Sequence, residues 1–595
     1  MITATDRTEL KQWKFHLDQN EYGMAHGWGN PEYDDSVWMD VEAYTSWETY
    51  QEALFDYEGC GWFRTWVDVK TDPDKRFALK FDGVGGMAQV YVNGKYVGGT
   101  DSRYLPFSMD ITSRLWDGKN LIAVLVDNSF RGREHLTGGR RIEWVLYGGL
   151  THRIWLEEQP ITYISHVRAD AKADGSLKVT VNVENREGMS FKDDFNGSLA
   201  VRVPGLAGCE TVMELQLEKR KTEKLEFTFQ AEDVKLWSPE TPNLYDLQVV
   251  LSQGGTQIQT VNERIGFRTV AVEGTKLLLN GKEILFKGAN RYDEYAPYGI
   301  CPPEELIRQD LLEMKKCGMN IIRTHYPQDD VHYRIADEIG IMYMIEVPLN
   351  WWSPAAEETI ADWFPLAAEA VDCLDRTFQN FCNHPSWTVW SVGNECSHSR
   401  TANQQLFRML AQRMRALDCG RLISYAISSP ILDEKELDFC DFLGLNYYSG
   451  ILSNHESEFP EQMTEVLERK LGIAQQMYPN KPHVMTEFGY VCVGGIHNSM
   501  HEGRYAEDFG ATFLKADCAE FLKDPNMKGM IIWCWADYRH RRGFVPSPTN
   551  MGIQATYGPW GLVTMDRKPK QILLDTMRQI YDNWEIPGEG GGENA

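Results

Sequence analysis

The stretch that decides the fold of the C-terminal half is Pro303-Glu-Glu-Leu-Ile-Arg-Gln-Asp-Leu-Leu-Glu-Met-Lys-Lys316. Its leucine and methionine residues lean to one face, which predicts an amphipathic helix with proline in the first turn. Cys317-Gly318 then ends the helix, because glycine readily adopts the backbone conformation that follows a last turn. The apolar run at 320–325 comes next, so the helix leads into a buried strand.

Short apolar runs and amphipathic helices alternate from Gly266 almost to the end of the chain. Eight of the runs are predicted to be buried strands. They are Ile284–Asn290, Asn320–His325, Met342–Val347, Thr388–Gly393, Leu422–Ile427, Phe442–Asn446, His483–Glu487 and Gly529–Trp535. Eight strand–helix repeats over about 300 residues are typical of a (β/α)8 TIM barrel. An open doubly wound sheet is the alternative, and it is less favoured because no Gly-rich phosphate loop follows the first strand.

The residues before the barrel are predicted to form two β-sandwiches. Ala88-Gln-Val-Tyr-Val92 alternates with period two, as a half-buried strand does. Asn93-Gly94 follows it and favours a type I′ hairpin turn, which needs two positive φ angles. Further along, turn residues recur about every ten positions, as in immunoglobulin-like sandwiches. We therefore predict a jelly-roll domain over 1–162, an immunoglobulin-like β-sandwich over 163–271, the barrel over 272–586 and a flexible Gly-rich tail over 587–595.

Composition limits the partners and the compartment. Asp and Glu number 86 against 60 Lys and Arg, which gives a net charge of -26 and disfavours nucleic acid as a partner. No apolar stretch of about 18 residues is present to span a membrane. The first residues lack the apolar core of a signal peptide, and the 12 cysteines form no C-x-x-C pair. We predict a cytoplasmic protein, for which a homo-oligomer is compatible with the sequence.

Polar residues follow most of the predicted barrel strands directly. The positions concerned are 290–294, 323–326, 346, 394–395, 446–448, 487 and 535–539. Functional side chains of a barrel emerge at the C-terminal ends of its strands, so these residues are expected to share one mouth. The sequence therefore predicts a polar active site at that mouth rather than scattered solvated residues.

Two glutamates at this mouth fit the chemistry of glycoside cleavage. That reaction needs one carboxyl group that donates a proton and one that is ionised. Glu395 ends the fourth predicted strand and Glu487 the seventh, on facing sides of the barrel. Glu346 ends the third strand, and we assign it a minor structural role. Carboxyl groups about 5 Å apart imply retention of configuration, whereas a wider gap implies inversion.

Five motifs resemble those of glycoside hydrolase family 2. Trp390-Ser-Val-Gly-Asn-Glu395 resembles the acid/base motif of the family, and Thr486-Glu-Phe-Gly489 resembles its nucleophile motif. The other three are Gly288-Ala-Asn-Arg291, Arg323-Thr-His-Tyr-Pro327 and Trp560-Gly-Leu-Val-Thr-Met-Asp-Arg-Lys-Pro569. The domain order is also that of the family, so the resemblance covers nearly the whole chain. It implies a retaining exo-β-glycosidase that acts by double displacement.

The resemblance also implies roles for residues around the two glutamates. Glu395 would be the acid/base, with a pKa raised by the nearby charge of Glu487, which would be the nucleophile. Asn394 would bind the sugar 2-hydroxyl, a contact that strengthens in the transition state. Arg323 would hold Glu487 ionised by charge pairing.

Further side chains are expected to complete the pocket. A phenol from Tyr447 or Tyr448 is expected to donate a hydrogen bond to the nucleophile. His325 and Trp535 are expected to line the sugar pocket.

For three more residues, the sequence leaves two alternative roles open. Trp351 and Trp352 are expected either to stack on the sugar or aglycone or to serve only in packing. Glu143 lies where the family carries an acidic residue that reaches the sugar hydroxyls from the first domain. The alternative is a solvated loop glutamate.

The sugar is the least determined part of the prediction. β-Glucuronidases of the family resemble one another in an Asn-x-Lys motif that holds the substrate carboxylate, and here Gly558-Pro559-Trp560 stands in its place. A different loop carries Arg539, Arg541 and Arg542, and guanidinium groups bind carboxylates bidentately. We predict a β-hexuronidase that uses this loop as a clamp, acting first on galacturonides, with glucuronides as the second choice of uronide. A β-galactosidase is the alternative, in which the loop would carry surface charge or a subunit contact.

Two further points concern cofactors and a different class of function. His398 resembles a position near a magnesium site of some family members, but one histidine does not make a metal site. We therefore predict no cofactor and no metal, and a small carbohydrate or glycoside conjugate as the partner. A non-catalytic carbohydrate-binding protein is the distant alternative, and the presence of both glutamates disfavours it.

Overall fold

The computed structural model describes residues 6–129, 136, 142–186, 194–418, 420–429, 431, 433, 435–448, 460–497, 505–541 and 557–586. These residues form two β-sandwiches followed by a closed barrel of eight strands. The predicted fold class is therefore confirmed. The tail predicted at 587–595 lies outside the described residues.

The first domain is a sandwich of two antiparallel sheets. Its ten strands are Asp6–Glu9 (β1), Gln12–Leu17 (β2), Met39–Glu42 (β3), Cys60–Val69 (β4), Lys75–Phe81 (β5), Met87–Val92 (β6), Lys95–Thr100 (β7), Phe107–Asp110 (β8), Gly118–Asp127 (β9) and Ile154–Pro160 (β10). One sheet has the order β1-β10-β5-β8 and the other β3-β2-β4-β9-β6-β7. Side chains such as Phe63, Leu79 and Val124 are fully buried between them. This core follows from alternation along each strand.

The hairpin predicted at Asn93-Gly94 joins β6 to β7. Asn93 has φ 50° and Gly94 has φ 78°. Both values lie in the left-handed region that a type I′ turn requires. The local sequence thus determines where this hairpin turns.

The second domain is a smaller sandwich of seven antiparallel strands. They are Thr162–Ala171 (β11), Ser176–Asn185 (β12), Phe195–Arg202 (β13), Glu210–Leu217 (β14), Thr222–Gln230 (β15), Tyr245–Gln253 (β16) and Thr256–Ile265 (β17). The sheets have the orders β11-β12-β15 and β14-β13-β16-β17. Just after β17, the buried Arg268 guanidinium donates to the backbone carbonyls of Pro385, Trp387 and Gly420. This side chain attaches the sandwich to the barrel.

The third domain opens with a short three-stranded sheet and then closes into the barrel. The short strands are Val270–Glu273 (β18), Lys276–Leu279 (β19) and Lys282–Glu283 (β20). The barrel strands are Phe286–Asn290 (β21), Ile321–Thr324 (β22), Met342–Glu346 (β23), Trp387–Asn394 (β24), Leu422–Ile427 (β25), Leu443–Asn446 (β26), His483–Glu487 (β27) and Met527–Ile532 (β28). Neighbouring strands pair in parallel, and β28 pairs with β21 to close the barrel. A last pair, Tyr538–Arg539 (β29) and Tyr557–Gly558 (β30), lies beyond it.

Helices surround the barrel, and their inner faces are apolar. They are Glu304–Lys316 (α1), Asp330–Ile339 (α2), Phe364–Phe381 (α3), Thr401–Leu417 (α4), Pro460–Met477 (α5), Glu507–Phe521 (α6) and Gln571–Asn583 (α7). Four short 3-10 helices are Trp47–Thr49, Glu52–Leu54, Thr112–Arg114 and Ile360–Trp363. None of the helices among the described residues is long and apolar enough to cross a membrane.

Helix α1 forms where the pattern predicted it, with one difference on its apolar face. Ile307, Leu311 and Met314 are fully buried, whereas Leu312, which was predicted on that face, is exposed. Pro303 lies at the N-cap position, just outside the first turn in which it was predicted, and its side chain forms no capping hydrogen bond. Gly318 follows the end of the helix with φ 77°. The least accurate strand prediction was the eighth, because the strand ends at Ile532 rather than Trp535.

Candidate active site

Arg323, in β22, is the centre of a buried polar network at the C-terminal end of the barrel. Its Nη1 donates to Oε1 of Glu487 at 2.7 Å and to Oδ1 of Asn290 at 3.0 Å. Its Nη2 donates at 2.8 Å to both Oε2 of Glu346 and Oδ1 of Asn394. Burial alone would lower the pKa of Arg323, but the charges of Glu346 and Glu487 raise it. The guanidinium therefore stays charged and balances the buried carboxylates.

Glu487 ends β27, and both of its carboxyl oxygens contact donors. The Tyr448 hydroxyl donates to Oε2 at 2.8 Å, while Arg323 contacts Oε1. His325 Nε2 lies 3.7 Å from the same Oε1. The Glu487 side chain is only 5% exposed, so these contacts replace most of its water. An anion held by charged and phenolic donors is well oriented for nucleophilic attack.

Glu395 follows β24 directly and is partly exposed. Its φ of 49° lies in the left-handed region, which a non-glycine residue adopts at a cost of about 1–3 kcal/mol. Asn446 Nδ2 donates to its Oε1 at 2.9 Å, and Trp351 Nε1 donates to its Oε2 at 3.0 Å. Removal of water and the nearby charge of Glu487 raise the pKa of Glu395 to about 7. Both protonation states are therefore accessible near neutral pH.

Two asparagines connect the surroundings of the glutamates. Asn446 Nδ2 donates to Oδ1 of Asn394 at 2.9 Å as well as to Glu395. The Thr486 hydroxyl donates to Asn446 Oδ1 at 2.7 Å, which fixes the orientation of that amide. Since Asn394 also accepts from Arg323, hydrogen bonds run without a break from Glu487 to Glu395. The network thus holds both carboxyl groups in one arrangement.

Glu346 supports the network from inside. It is buried, and its oxygens accept from Arg323, from His325 Nδ1 at 2.8 Å and from the Ser391 hydroxyl at 2.8 Å. Burial alone would raise the pKa of Glu346, but the charges of Arg323 and His325 leave it below its usual value. These contacts hold the Glu346 carboxylate between Arg323, His325 and Ser391, and its structural role stays a prediction.

An aromatic wall, defined as Trp144, Tyr292, Trp533, Tyr538 and Trp560, lies beside these groups. Its members contact residues around Glu487: Trp144 stacks on His325 at 5.6 Å between ring centroids, and the Trp560 ring centroid lies 5.5 Å from that of Tyr448. Within the described residues, the Tyr292 hydroxyl and the Trp560 indole N–H have no hydrogen-bond partner although they are buried. Buried polar groups usually have a partner, so a bound ligand is a natural one for these two.

The first domain contributes to this wall through Glu143 and Trp144. Glu143 accepts a hydrogen bond from the Tyr538 hydroxyl, a residue 395 positions away in the sequence. His540 Nε2 lies 3.2 Å from Oε1 of Glu143, and Arg541 donates its backbone N–H to the Glu143 carbonyl at 2.8 Å. The charge of Glu143 also contributes to raising the pKa of Tyr448, after burial and the charges of Glu487 and Glu395. The structure therefore brings Glu143 to the pocket.

Comparison with protein families agrees with this geometry. The model for the family 2 TIM barrel domain matches residues 270–586. The models for family 2 of the glycosyl hydrolases and for its sugar binding domain match 162–268 and 11–137. The chain belongs to glycoside hydrolase family 2. It is therefore a glycoside hydrolase, as its motifs predicted.

Several family 2 proteins are similar over nearly the whole chain. A β-glucuronidase of Paenibacillus borealis is 26% identical over 97% of this chain and 96% of that one. A β-galactosidase of Clostridium acetobutylicum is 26% identical over 99% of this chain and 65% of that one. The structure of a β-galacturonidase from Eisenbergiella tayi bound to galacturonate superimposes with a TM-score of 0.83 at 23% identity, over 98% of both chains. The chain spans between 43% and 96% of the length of three of the curated relatives that it matches.

Two arginines of the loop in this family 2 chain, Arg539 and Arg541, are bound to acidic residues of the first domain rather than directed at the glutamates. Arg539 is buried, stacks on Phe55 and donates to Asp56 at 2.8 Å. Arg541 forms two bonds of 2.6 Å with the carboxylate of Glu58. Asp56 and Glu58 belong to the first domain, so acidic residues there bind the guanidinium groups that were predicted to clamp a substrate. Arg542 lies outside the described residues.

The position predicted for Trp535 needs revision, whereas one of the two candidate phenols contacts Glu487 as expected. Trp535 does not contact the glutamates, because its indole donates to Asp310 at 2.5 Å and its ring packs in the core around the barrel. The reason is that the eighth strand ends three residues earlier than predicted. Trp533 faces the site instead, with its ring 5.0 Å from His325. Of the two candidate phenols, Tyr448 contacts Glu487, whereas the buried Tyr447 lies under the Lys470 ammonium.

Trp351 and Trp352 differ in their surroundings. Trp351 donates a hydrogen bond to Glu395. Neither of the two alternatives predicted for Trp351, stacking on the sugar or packing, included this contact. Trp352 is buried and packs against Trp363 at 5.3 Å. Packing was the second of the two alternatives for these residues, and Trp352 follows it.

The environment of His398 contains few metal ligands. Its Nε2 lies 3.1 Å from Glu436 Oε2, and the Ser429 hydroxyl lies 3.3 Å from its Nδ1. Among the residues that the structure describes, no three His, Cys, Asp or Glu side chains are grouped so that they could hold a metal ion. The reaction that two glutamates can perform needs no metal.

Trp144, Trp533 and Trp560 were missed as pocket residues, whereas Tyr292 lies within 290–294, which the sequence predicted at the mouth. Trp144 adjoins Glu143 in the sequence, and Trp533 follows strand β28 directly. Position at a strand end was therefore a usable signal for Trp533. Trp560 follows β30, and no strand-end rule covers it.

Proposed function

We propose that the protein is a retaining exo-β-glycosidase, with Glu487 as the nucleophile and Glu395 as the acid/base. The observation that carries this proposal is the contrast between the two carboxyl groups. Glu487 is bound by a charged guanidinium, whereas removal of water and a like charge raise the pKa of Glu395 to about 7. Environments that favour opposite protonation states are what double displacement requires.

In the first step, an oxygen of Glu487 attacks the anomeric carbon. The bond from that carbon to the glycosidic oxygen breaks, and the leaving oxygen takes the proton of Glu395. In the second step, water attacks the same carbon, gives its proton to Glu395 and displaces Glu487. The configuration is inverted twice and therefore retained.

Asn394 and the aromatic wall suit the binding of one terminal sugar. Asn394 lies directly beside Glu395, where we expect its amide to bind the 2-hydroxyl. The Tyr292 hydroxyl and the Trp560 N–H, both without a partner among the described residues, are available to sugar hydroxyl groups. Glu143 and Trp144 bring the first domain against one side of the mouth, which supports action at a chain end.

The substrate that we propose first is a β-D-hexuronide, either a galacturonide or a glucuronide. It is supported by the names of relatives that are similar over nearly the whole chain. A β-galactoside is the second candidate, and one structural observation favours it. Arg539 and Arg541 are bound to acidic residues of the first domain, and Glu143 adds a negative charge to the pocket wall.

A panel of aryl β-glycosides tests the proposal. We expect the wild-type enzyme to release the aryl group from one class of aryl β-glycoside. NMR of the sugar that is released first should show the β-anomer. Glu487→Gln should lose turnover by about 10⁴-fold or more, because no nucleophile remains. Initial formation of the α-anomer, or full activity of Glu487→Gln, would contradict the mechanism. Turnover of galactosides alone would exclude the hexuronide.

A further inference from the structure

Two loops run side by side where Glu395 lies. The Asn394 N–H donates to the Leu349 carbonyl at 2.9 Å, and the Trp351 N–H donates to the Asn394 carbonyl at 3.0 Å. The Ser397 N–H donates to the Trp352 carbonyl at 3.0 Å. These three backbone bonds join the segment after β23 to the segment after β24. The indole of Trp351 is therefore held in a constant position relative to the Glu395 backbone.

The indole of Trp351 is confined on its other side. Its ring lies 6.3 Å from that of Trp144, and it packs against the aromatic wall. Trp351 has φ 52°, so the backbone takes an unfavourable conformation where the ring turns towards Glu395. Nε1 donates to Oε2 of Glu395 at 3.0 Å. Such a conformation is usually retained where it positions a functional group.

An indole N–H can donate a hydrogen bond but cannot accept one. It therefore interacts more strongly with an ionised Glu395 than with a protonated one, and it opposes the influence of burial and of Glu487 on the pKa of Glu395. Asn446 acts in the same direction at Oε1, but its amide also bonds to Asn394 and Thr486. Within the described residues, Glu395 is the only hydrogen-bond partner of the Trp351 indole.

We infer that Trp351 is a positioning residue that stabilises the base form of Glu395 and thereby speeds the second chemical step. This inference rests on the proposed function. In the glycosyl-enzyme, Glu487 is esterified and has lost its charge, but burial, the larger of the two causes that raise the pKa of Glu395, still favours the protonated form. The indole N–H then stabilises the carboxylate that must take a proton from water. The first step needs the opposite form, so Trp351 balances the two steps.

The variant Trp351→Phe keeps the ring and removes the N–H. We expect the pH above which kcat/KM falls to move up by about one unit, the size expected for loss of one hydrogen bond to a charged group. With a dinitrophenyl glycoside, whose leaving group needs no proton, the second step should become slower by about tenfold. A burst of dinitrophenol should then appear before the steady state. Azide, which attacks without a general base, should restore the rate and yield a β-glycosyl azide.

Trp352→Phe is the matched control, because Trp352 lies in the same loop and its indole N–H has no partner among the described residues. It should show the wild-type pH dependence and no burst. The inference is overturned if Trp351→Phe keeps the wild-type pH dependence, or if azide fails to restore its rate. Glu395→Ala separates this failure from that of the proposed function. If Glu395→Ala keeps full activity on a substrate with a poor leaving group, the assignment of the acid/base itself is wrong.

Discussion

The Tyr448 hydroxyl donates to Oε2 of Glu487 at 2.8 Å, while Arg323 bonds to Oε1 at 2.7 Å. Arg323 lies in β22 and Tyr448 lies just after the end of β26, and each of them binds one oxygen of the carboxylate. Only one of the oxygens can attack the sugar. Because Arg323 also bonds to Glu346 and Asn394, the oxygen on its side is the more constrained. This division makes the contribution of each donor separately measurable.

Tyr448→Phe should reduce kcat/KM by about tenfold to a hundredfold, the range expected for one hydrogen bond to a charged group. The ring remains, so the melting temperature should change little. Tyr447→Phe is the control, because Tyr447 does not contact Glu487 through its side chain. Equal losses in both variants would show that the hydroxyl of Tyr448 has no special role. Steady-state kinetics and thermal melts measure both outcomes.

The pKa of Glu395, about 7, predicts the pH dependence of the first step. The first step requires protonated Glu395. As far as this group decides the rate, kcat/KM should be constant at lower pH and fall as the pH rises through about 7. Substrates with good leaving groups need less proton donation and should show a weaker decline. If kcat/KM rose through pH 7 with a phenol of high pKa as leaving group, Glu395 could not be the acid.

Tyr292→Phe and Trp560→Phe should separate binding from stability. Since neither polar atom has a partner among the described residues, its removal should leave the melting temperature unchanged or raise it slightly. If the sugar is the missing partner, kcat/KM should fall by about tenfold in each variant. Calorimetry and kinetics on the same preparations test this pair of effects. Destabilised variants with unchanged kinetics would contradict it.

Arg541→Ala should have a small effect on stability and none on the choice of sugar. The ion pair of Arg541 with Glu58 is partly exposed, and such pairs contribute about 0–1 kcal/mol. The ratio of kcat/KM for uronides to that for galactosides should therefore equal the wild-type ratio. Glu58→Gln breaks the same pair and serves as the control. A loss confined to uronides in Arg541→Ala, but absent in Glu58→Gln, would restore the clamp hypothesis.

Glu346→Gln should destabilise the barrel strongly although Glu346 is not proposed to react. The change removes one of two carboxylates that balance the buried Arg323. Loss of one partner from a buried ion pair typically costs about 3–5 kcal/mol, and the remaining Glu487 reduces that cost here. Urea unfolding should thus show a lower midpoint. A midpoint equal to that of the wild type would mean that Arg323 does not depend on Glu346.

The barrel was predictable because each strand is a short apolar run with a polar residue at its end. Glu395 and Glu487 were found by this rule together with their motifs. Tyr448 could be named only as one of two candidates, since residues adjacent in sequence point in different directions where a strand ends. The strand pattern could not show which one reaches Glu487.

The arginine loop shows where local sequence is insufficient. Three arginines close together suggested an anion site, but the partners of two of them, Asp56 and Glu58, lie 483 positions away. Such contacts depend on how the first domain docks on the barrel, and no periodicity within either segment encodes that docking. The same is true of Trp144, which reaches His325 only in the assembled chain.

Glu143 and Trp144 complete a pocket whose reacting groups all belong to the barrel. An isolated barrel would retain both glutamates and yet leave one side of its mouth open to water. Heating should accordingly inactivate the enzyme as soon as the first domain undocks, even while the barrel remains folded. Substitutions far from the reacting atoms, on the surface that joins these two domains, would then alter substrate preference without altering the chemistry.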